Sequence, residues 1–280
     1  MKRIVTIQDI SCLGKCSITA SLPVISAMGV ECAILPTAVL STHTMFPDAI
    51  LKNLEDEIMP IAQHWKKLGM DFDAVYTGYL ASPRQIELVK TFFGMFTGEH
   101  ILRFVDPAMA DHGKLYRGFD EDFPAHMASL CAVADIILPN LSEACLMTGK
   151  EYRTDPDETY IRELLDALAG LGTKKAVVLT GVTGEAGKTG VTGMYTETGE
   201  IFCLSHEKLA RSYHGTGDLF ASTTLGALMR GLELEDALQM AGWFVHDAIY
   251  ETMVHDPEKT YGVDFEAVIP KLCSRLAEKK

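Results

Sequence analysis

Lysine and arginine are scarce in this 280-residue chain: 25 against 38 aspartates and glutamates, a formal charge of −13. Such a deficit excludes a nucleic-acid partner, because phosphate backbones are bound by clustered cations. A polyanionic substrate would have to be met by backbone amides, a metal ion or a few placed cations. No apolar run approaches membrane length, and Ile4-Val5-Thr6-Ile7 behind Met1-Lys2-Arg3 is too short for a signal peptide. No membrane partner is therefore expected, and a cytoplasmic location is. Cysteine is sparse and scattered (Cys12, Cys16, Cys32, Cys131, Cys145, Cys203, Cys273), an odd set without a framework, which indicates reduced thiols. Cys12 and Cys16 form the one close pair, and no second pair or histidine cluster completes a zinc site. Repeats, low-complexity tracts and Pro/Ser-rich linkers are missing too, so one domain over residues 1–280 is the simpler organisation.

Familiar catalytic signatures are also missing. There is no Gly-x-x-x-x-Gly-Lys-Ser/Thr segment and no protein-kinase motif set, which removes the two commonest ATP architectures. Ser11-Cys12-Leu13-Gly14-Lys15 does not supply a dinucleotide-binding Gly-x-Gly-x-x-Gly, and no Gly-x-Ser-x-Gly elbow offers a hydrolase nucleophile.

What is present is an alternation of strand-length apolar runs and helical stripes. Strands are expected at Arg3–Gln8, Glu31–Leu35, Asp73–Thr77, Ile101–Val105, Asp135–Leu138 and Lys175–Leu179, most of them apolar at consecutive positions, as in strands covered on both faces. Thr189–Tyr195 and Glu200–Leu204 flank Glu197-Thr198-Gly199 and read as a hairpin. Helices are expected at Ile18–Met28, Leu54–Leu68, Arg84–Phe96 and Phe265–Leu276, the last bent or delayed by Pro270. Stripes also run Ile161, Leu164, Leu165, Leu168, Leu171 and Leu234, Leu238, Ala241, Val245, Ala248, Ile249. The alternation implies an α/β fold, a mostly parallel sheet with helices on both sides.

Open sheets of this kind bind ligands outside the carboxyl ends of their strands. The expected strands here run into Gln8-Asp9-Ile10-Ser11, Thr77-Gly78-Tyr79, Asp106-Pro107, Pro139-Asn140 and Thr180-Gly181. Asp106, Asn140 and Glu143 could converge on one magnesium ion and its waters. Equally, Asp106 could cap a loop, and Asn140 with Glu143 could form a helix capping box. Gly215-Thr216-Gly217-Asp218 precedes the apolar run Leu219-Phe220-Ala221. A helix starting there would aim unpaired amides at an anion, with Asp218 as a base beside them; the alternative is an ordinary helix start with Asp218 favouring the dipole. Trp65 and Trp243 fall on helix-like stripes and read as packing groups.

With these residues in view, the chain resembles the pyridoxal (vitamin B6) kinases of the ribokinase-like superfamily, from Ile4 to about Met253. Gly215-Thr216-Gly217-Asp218, Asp106-Pro107-Ala108-Met109-Ala110-Asp111 and Pro139-Asn140-Leu141-Ser142-Glu143-Ala144 carry the superfamily likeness; Ser41-Thr42-His43-Thr44 and Thr77-Gly78-Tyr79 favour the B6 branch. The resemblance implies a three-layer α/β/α sandwich, often dimeric, with ATP and a small heterocyclic alcohol as substrates. It implies Asp218 as the base, Gly215, Thr216 and Gly217 as an anion hole, and Asp106 and Glu143 at Mg²⁺, Glu143 through water. Tyr116, Asn140 and Thr180 would meet the nucleotide phosphates. Thr44 and Tyr79 would hold the ring, with His43 beside them. A loop at about Ser205–Tyr213 would close over ATP, with Lys208 and Arg211 as phosphate contacts. A monovalent cation is compatible with the family.

Two positions depart from that pattern. Many B6 kinases have Ile-Gln-Ser where this chain has Ile7-Gln8-Asp9, and the Asp9-x-Ser11 spelling is closer to hydroxymethylpyrimidine kinases. Met45 stands where a glycine often follows His-Thr. Both fall in the ring-binding region, so the competing readings are a hydroxymethylpyrimidine kinase and a non-catalytic ligand-binding homologue. A carboxylate at Asp9 would favour a protonated ring nitrogen or pair with an amino group; capping its own loop is the plainer alternative.

Overall fold

The computed structural model describes residues 1–183, 185, 187–259 and 261–279. Along the chain run β1 (Arg3–Leu13), α1 (Ser17–Ala27), β2 (Glu31–Thr42), β3 (Leu51–Asn53), α2 (Glu55–Lys67), β4 (Ala74–Thr77), α3 (Pro83–Met95) and β5 (Leu102–Val105). A small hairpin, β6 (Ala110–Asp111) and β7 (Lys114–Leu115), leads to α4 (Phe123–Cys131), β8 (Ile136–Ile137), α5 (Leu141–Thr148), α6 (Glu158–Ala169) and β9 (Ala176–Thr180). β10 (Lys188–Tyr195), β11 (Ile201–Glu207), α7 (Thr216–Met229), α8 (Leu234–His255), a 3-10 turn at Phe265–Ala267 and α9 (Ile269–Glu278) complete the fold.

Among the described residues nine strands make one sheet in the order β11-β10-β9-β8-β5-β4-β1-β2-β3. The six neighbours from β9 to β2 pair parallel, while β3, β10 and β11 add antiparallel edges. Successive side chains point to opposite faces of a strand. Val5, Val75, Val105, Ile137 and Val177 accordingly join one core with α2 to α6, whereas Ile4, Tyr76, Phe104, Ile136 and Val178 face α7 and α8. The fold is thus the three-layer α/β/α sandwich implied by the alternation of elements. Among the described residues no helix is long and apolar enough to cross a membrane.

Several boundaries differ from the sequence reading, each for a physical reason. β1 and β2 continue to Leu13 and Thr42, because Gln8, Ile10, Ser11 and Leu13 keep ladder partners on β2, with Asp9 at a slip between them, although the polarity of this stretch suggests a loop. The register slips between Gln8 and Ile10, opposite Pro36 and Val39, which is how β2 tolerates a residue without an N–H. β11 reaches Glu207, so the loop before Gly215 begins at Lys208 rather than Ser205. Pro270 sits in the first turn of α9, where its missing N–H has no partner to lose, and the residues before it form a separate 3-10 turn. β3, the β6–β7 hairpin and α4 had no counterpart in the sequence reading.

The order of strands reverses at β1: the chain leaves β1 for β2 on one side and later returns to β4 on the other. Such a switch point opens a crevice between β1 and β4, where Asp9 and Tyr79 lie. Gln8 ties β1 to α1 and packs against Gly78 after β4. Its fully buried amide donates to Thr6 Oγ1 (2.6 Å) and Ser21 Oγ (3.2 Å), and a Cβ on Gly78 would meet its Oε1 at 2.6 Å.

Candidate active site

Helix α7 starts from Gly215, whose φ of +84° is the left-handed region that glycine enters freely. The space is equally demanding, since a Cβ there would lie 1.9 Å from the Lys15 carbonyl oxygen. Gly217, two residues on, has nothing within 4 Å of where its Cβ would be. A bare backbone amide at a helix N-terminus therefore looks into open space, the arrangement suited to an anion. Thr216 Oγ1 donates to the Tyr213 carbonyl (2.9 Å), tying the first turn to the loop before it.

That open space is a cleft of about 540 Å³ lined by Asp106, Tyr116, Asn140, Glu143, Thr180, the loop 208–214, Gly215 to Asp218, and Gly242, Val245, His246 and Ile249 of α8. Eleven sequence candidates meet there: Asp106, Tyr116, Asn140, Glu143, Thr180, Lys208, Arg211, Gly215, Thr216, Gly217 and Asp218. Val245 and Ile249, members of an apolar stripe, are half-buried cleft wall rather than core. Arg211 lines the cleft but donates through Nη1 to the Pro257 carbonyl, so its guanidinium is held at the outer rim.

Asn140 and Glu143 form the capping box. Asn140 Oδ1 accepts from the Glu143 N–H (3.0 Å), and Glu143 Oε2 accepts from the Asn140 N–H (2.8 Å). Glu143 Oε1 accepts from the Met109 N–H (3.1 Å), and Asn140 Nδ2 donates to the Ala110 carbonyl (2.8 Å). The pair thus fixes the segment after Asp106 against α5. Glu143 is 2% exposed, and burial pushes its carboxyl up to about 8 against the pull of those N–H donors. Asp106 is raised as well, first by burial and then by the charges of Glu143 and Asp218. Asp218 is pushed up to about 7 by burial and by Asp9, against the lowering pull of the Ser17 N–H. The helix N-terminus alone would lower it; desolvation wins. Among the described residues no three His, Cys, Asp or Glu side chains are gathered as a protein-only metal cage. Mutually repelling carboxylates beside open space still form a donor set that a divalent cation with waters and phosphate oxygens fits.

The ring candidates lie outside that cleft lining. Asp9 is 3% exposed and accepts from Ser11 Oγ at 2.9 Å. Its carboxyl is raised by burial and pulled back by Ser17 and Ser11. Asp9 in turn raises the Tyr79 phenol, after burial, to about 12. Tyr79 packs on Phe119 with ring centroids 5.5 Å apart. His43 is buried with both ring nitrogens unpartnered, between Phe46 (4.8 Å) and His214 (4.4 Å). Thr44 is exposed on the β2–β3 connection. Asp218 is therefore within electrostatic reach of both groups, through Asp106 in the cleft and Asp9 outside it.

Sequence reasoning missed Ser17, Phe119 and the contact of His43 with His214. Ser17 left no signal except a polar residue opening a helix. Of the close pair, Cys12 is exposed, whereas buried Cys16 feels both Asp218 and Asp9. A larger groove of about 940 Å³ between β11, α8 and α9 shares His206 and His246 with the cleft wall but none of its carboxylates.

A parallel-sheet sandwich whose carboxylate-lined cleft is closed by a Gly-Thr-Gly-Asp helix start defines a kinase of the ribokinase-like superfamily. The phosphomethylpyrimidine kinase family model matches residues 12–262, and the chain belongs to that family. A protein of Bacteroides thetaiotaomicron assigned as a phosphomethylpyrimidine kinase, crystallised with pyridoxal, is 36% identical with a TM-score of 0.91, over 97% of this chain and 95% of that one. Pyridoxal kinase from Lactobacillus plantarum is 31% identical with a TM-score of 0.90, over 98% of each chain. The thiamine biosynthetic bifunctional enzyme TH1 of Arabidopsis thaliana is 27% identical over 83% of this chain, which spans 43% of that longer enzyme.

Proposed function

We propose that the chain acts as one kinase domain that transfers the γ-phosphoryl group of ATP to the 5′-hydroxymethyl group of pyridoxal, pyridoxine or pyridoxamine. The observation that carries this reading is Asp218 at the head of α7, beside the exposed Gly217 in the cleft and within electrostatic reach of both Asp106 and Asp9. In the proposed step the ring alcohol gives its proton to Asp218, its oxygen bonds to the γ-phosphorus, and the bond from that phosphorus to ADP breaks. Charge spreads over the transferred group, so the amides of Gly215 to Gly217 act by position and electrostatics. A carboxyl titrating near 7 is matched to taking a proton at neutral pH.

Asp106 and Glu143 would hold Mg²⁺, Glu143 through water because both its oxygens already accept backbone N–H groups. Bound there, the metal supplies neutralisation of the phosphate charge. Tyr116, Asn140 and Thr180 would line the phosphate path, and Arg211 would reach it only by leaving Pro257. Tyr79, Thr44 and His43 would hold the ring. The pyridoxal-bound relative, at 36% identity, supports B6 vitamers as substrates. Asp9 favours the second reading, phosphorylation of a hydroxymethylpyrimidine, whose amino group a carboxylate also fits. A substrate panel with Mg-ATP, with and without potassium, compares the specificity constants of the three vitamers and the aminopyrimidine alcohol. A vitamer in first place is expected; the pyrimidine in first place replaces the reading, and no ATP consumption with any of them removes it.

A further inference from the structure

Lys15 lies in the turn between β1 and α1 and is gripped along its whole length. Its carbonyl oxygen would lie 1.9 Å from a Cβ on Gly215, so the start of α7 interlocks with the turn that leads into α1. Its stem packs against Gly262, where a Cβ would come within 2.7 Å of the Lys15 Cβ. Its ammonium donates to Asp264 Oδ1 (2.8 Å) and Glu266 Oε2 (2.7 Å). Asp264 also takes Lys259, so opposite charges alternate along Lys259, Asp264, Lys15 and Glu266. Lysines are mostly exposed, yet the side chains of Lys15 and Lys259 are only 18% and 9% exposed.

Both ends of this network are fixed. The Asp264 N–H donates to Oγ1 of Thr252 (2.7 Å), which is fully buried on α8. Thr19 Oγ1 on α1 donates to the carbonyls of Gly14 (3.0 Å) and Cys16 (2.7 Å), the residues flanking Lys15. Lys15 is not part of the cleft lining, so the chemistry proposed above has no direct use for its charge. Ion pairs that keep contact with solvent stabilise a fold little. What they can supply here is position.

We propose that Lys15 is a positioning residue for phosphoryl transfer. Clamped by Asp264 and Glu266, it holds its own carbonyl against Gly215 and so sets where the amides at the head of α7 point. This rests on the role proposed above for Gly215 to Gly217, and it adds what holds that anion hole in place from outside the cleft.

Lys15→Met keeps the length of the stem and removes the charge. The expected result is a melting midpoint close to that of the wild type and ADP affinity unchanged by calorimetry, with kcat for the preferred ring alcohol lowered about tenfold or more. ADP lacks the phosphoryl group that the anion hole receives, which is why its affinity is spared. Lys15→Arg still pairs with both carboxylates and should recover most of the turnover. Lys2→Met removes a 2.7 Å ion pair to Asp73 elsewhere and should change none of these quantities. A further readout needs no substrate. The buried Leu219 N–H donates to the Gly215 carbonyl (3.1 Å), and its hydrogen exchange, followed by NMR, should be about tenfold faster in Lys15→Met. Should Lys15→Met not fold, Asp264→Asn with Glu266→Gln takes its place, since the Asp264 N–H keeps its bond to Thr252. Unchanged kcat overturns the proposal, and so does unchanged exchange at Leu219 or a Lys15→Arg variant as slow as Lys15→Met. A wild type that phosphorylates no ring alcohol rejects the kinase reading instead, and the exchange still decides whether Lys15 holds the start of α7.

Discussion

At the scale of single residues, Asp218 joins three influences that pull in different directions. The Ser17 N–H favours its charged form, while burial and the charge of Asp9 oppose it, and the outcome is a carboxyl near 7. Deprotonated Asp218 is the working form, so kcat/KM should fall with pH below about 7 and level off above it. Asp218→Asn should lower kcat by a hundredfold or more, since a positioned base contributes on the order of 10² to 10⁴, and should leave ADP affinity within a few-fold. Steady-state kinetics with calorimetry checks both; near-normal turnover would remove Asp218 as the base. Asp9→Ser tests the ring side. It should change the ratio of specificity constants between amino-bearing and amino-free rings by tenfold or more. Equal losses for every ring would reject a selectivity role.

At the scale of elements, the start of α7 depends on two glycines for different reasons. Gly215 is held by φ and by the Lys15 carbonyl, so Gly215→Ala strains the interlock with α1 and should destabilise the fold by about 1–3 kcal/mol or more. Gly217 faces open space, so Gly217→Ala should leave the melting midpoint within a degree or two and raise the KM for ATP at least tenfold. Thermal melts and nucleotide kinetics separate the two. The motif was legible in the sequence because a helix start needs few residues to announce itself. So was the capping box of Asn140 and Glu143, which the structure realises in full. The continuation of β1 past Gln8 was not legible: Asp9 and Ser11 look like loop residues, and only the pairing with β2 makes them strand. Ser17 was invisible for a related reason, since a left-handed φ at a serine runs against local preference. The bend expected at Pro270 disappeared because proline is tolerated where a helix begins.

At the scale of the whole molecule, the exposed apolar side chains are unevenly spread. Leu13, Met45, Ile50 and Leu51 all lie on the projecting ends of β1 to β3. Apolar area gathered on one edge suits a subunit contact, which supports the homodimer implied by the family resemblance. Sedimentation should give twice the mass of one chain, and Ile50→Glu should shift it toward one; a monomeric wild type would reject the dimer. Buried carboxylates also shape how stability depends on pH. A group whose pKa is raised on folding holds its proton longer in the folded state, so its contribution is fully present at low pH and is lost as pH rises through the folded value. For Asp218 the loss runs from about 4 to about 7. His214 acts the other way: burial lowers it to about 4, so its contribution is lost as pH falls below the ordinary histidine value. The opposing slopes leave the stretch above pH 6.5 to the carboxylates, and stability should decline there. Asp218→Asn cannot ionise, so at pH 8 it should be more stable than the wild type by on the order of 1–3 kcal/mol, with a smaller difference at pH 5. Urea unfolding at both pH values checks this, and a variant less stable than the wild type at pH 8 would mean that Asp218 is held by the fold rather than against it.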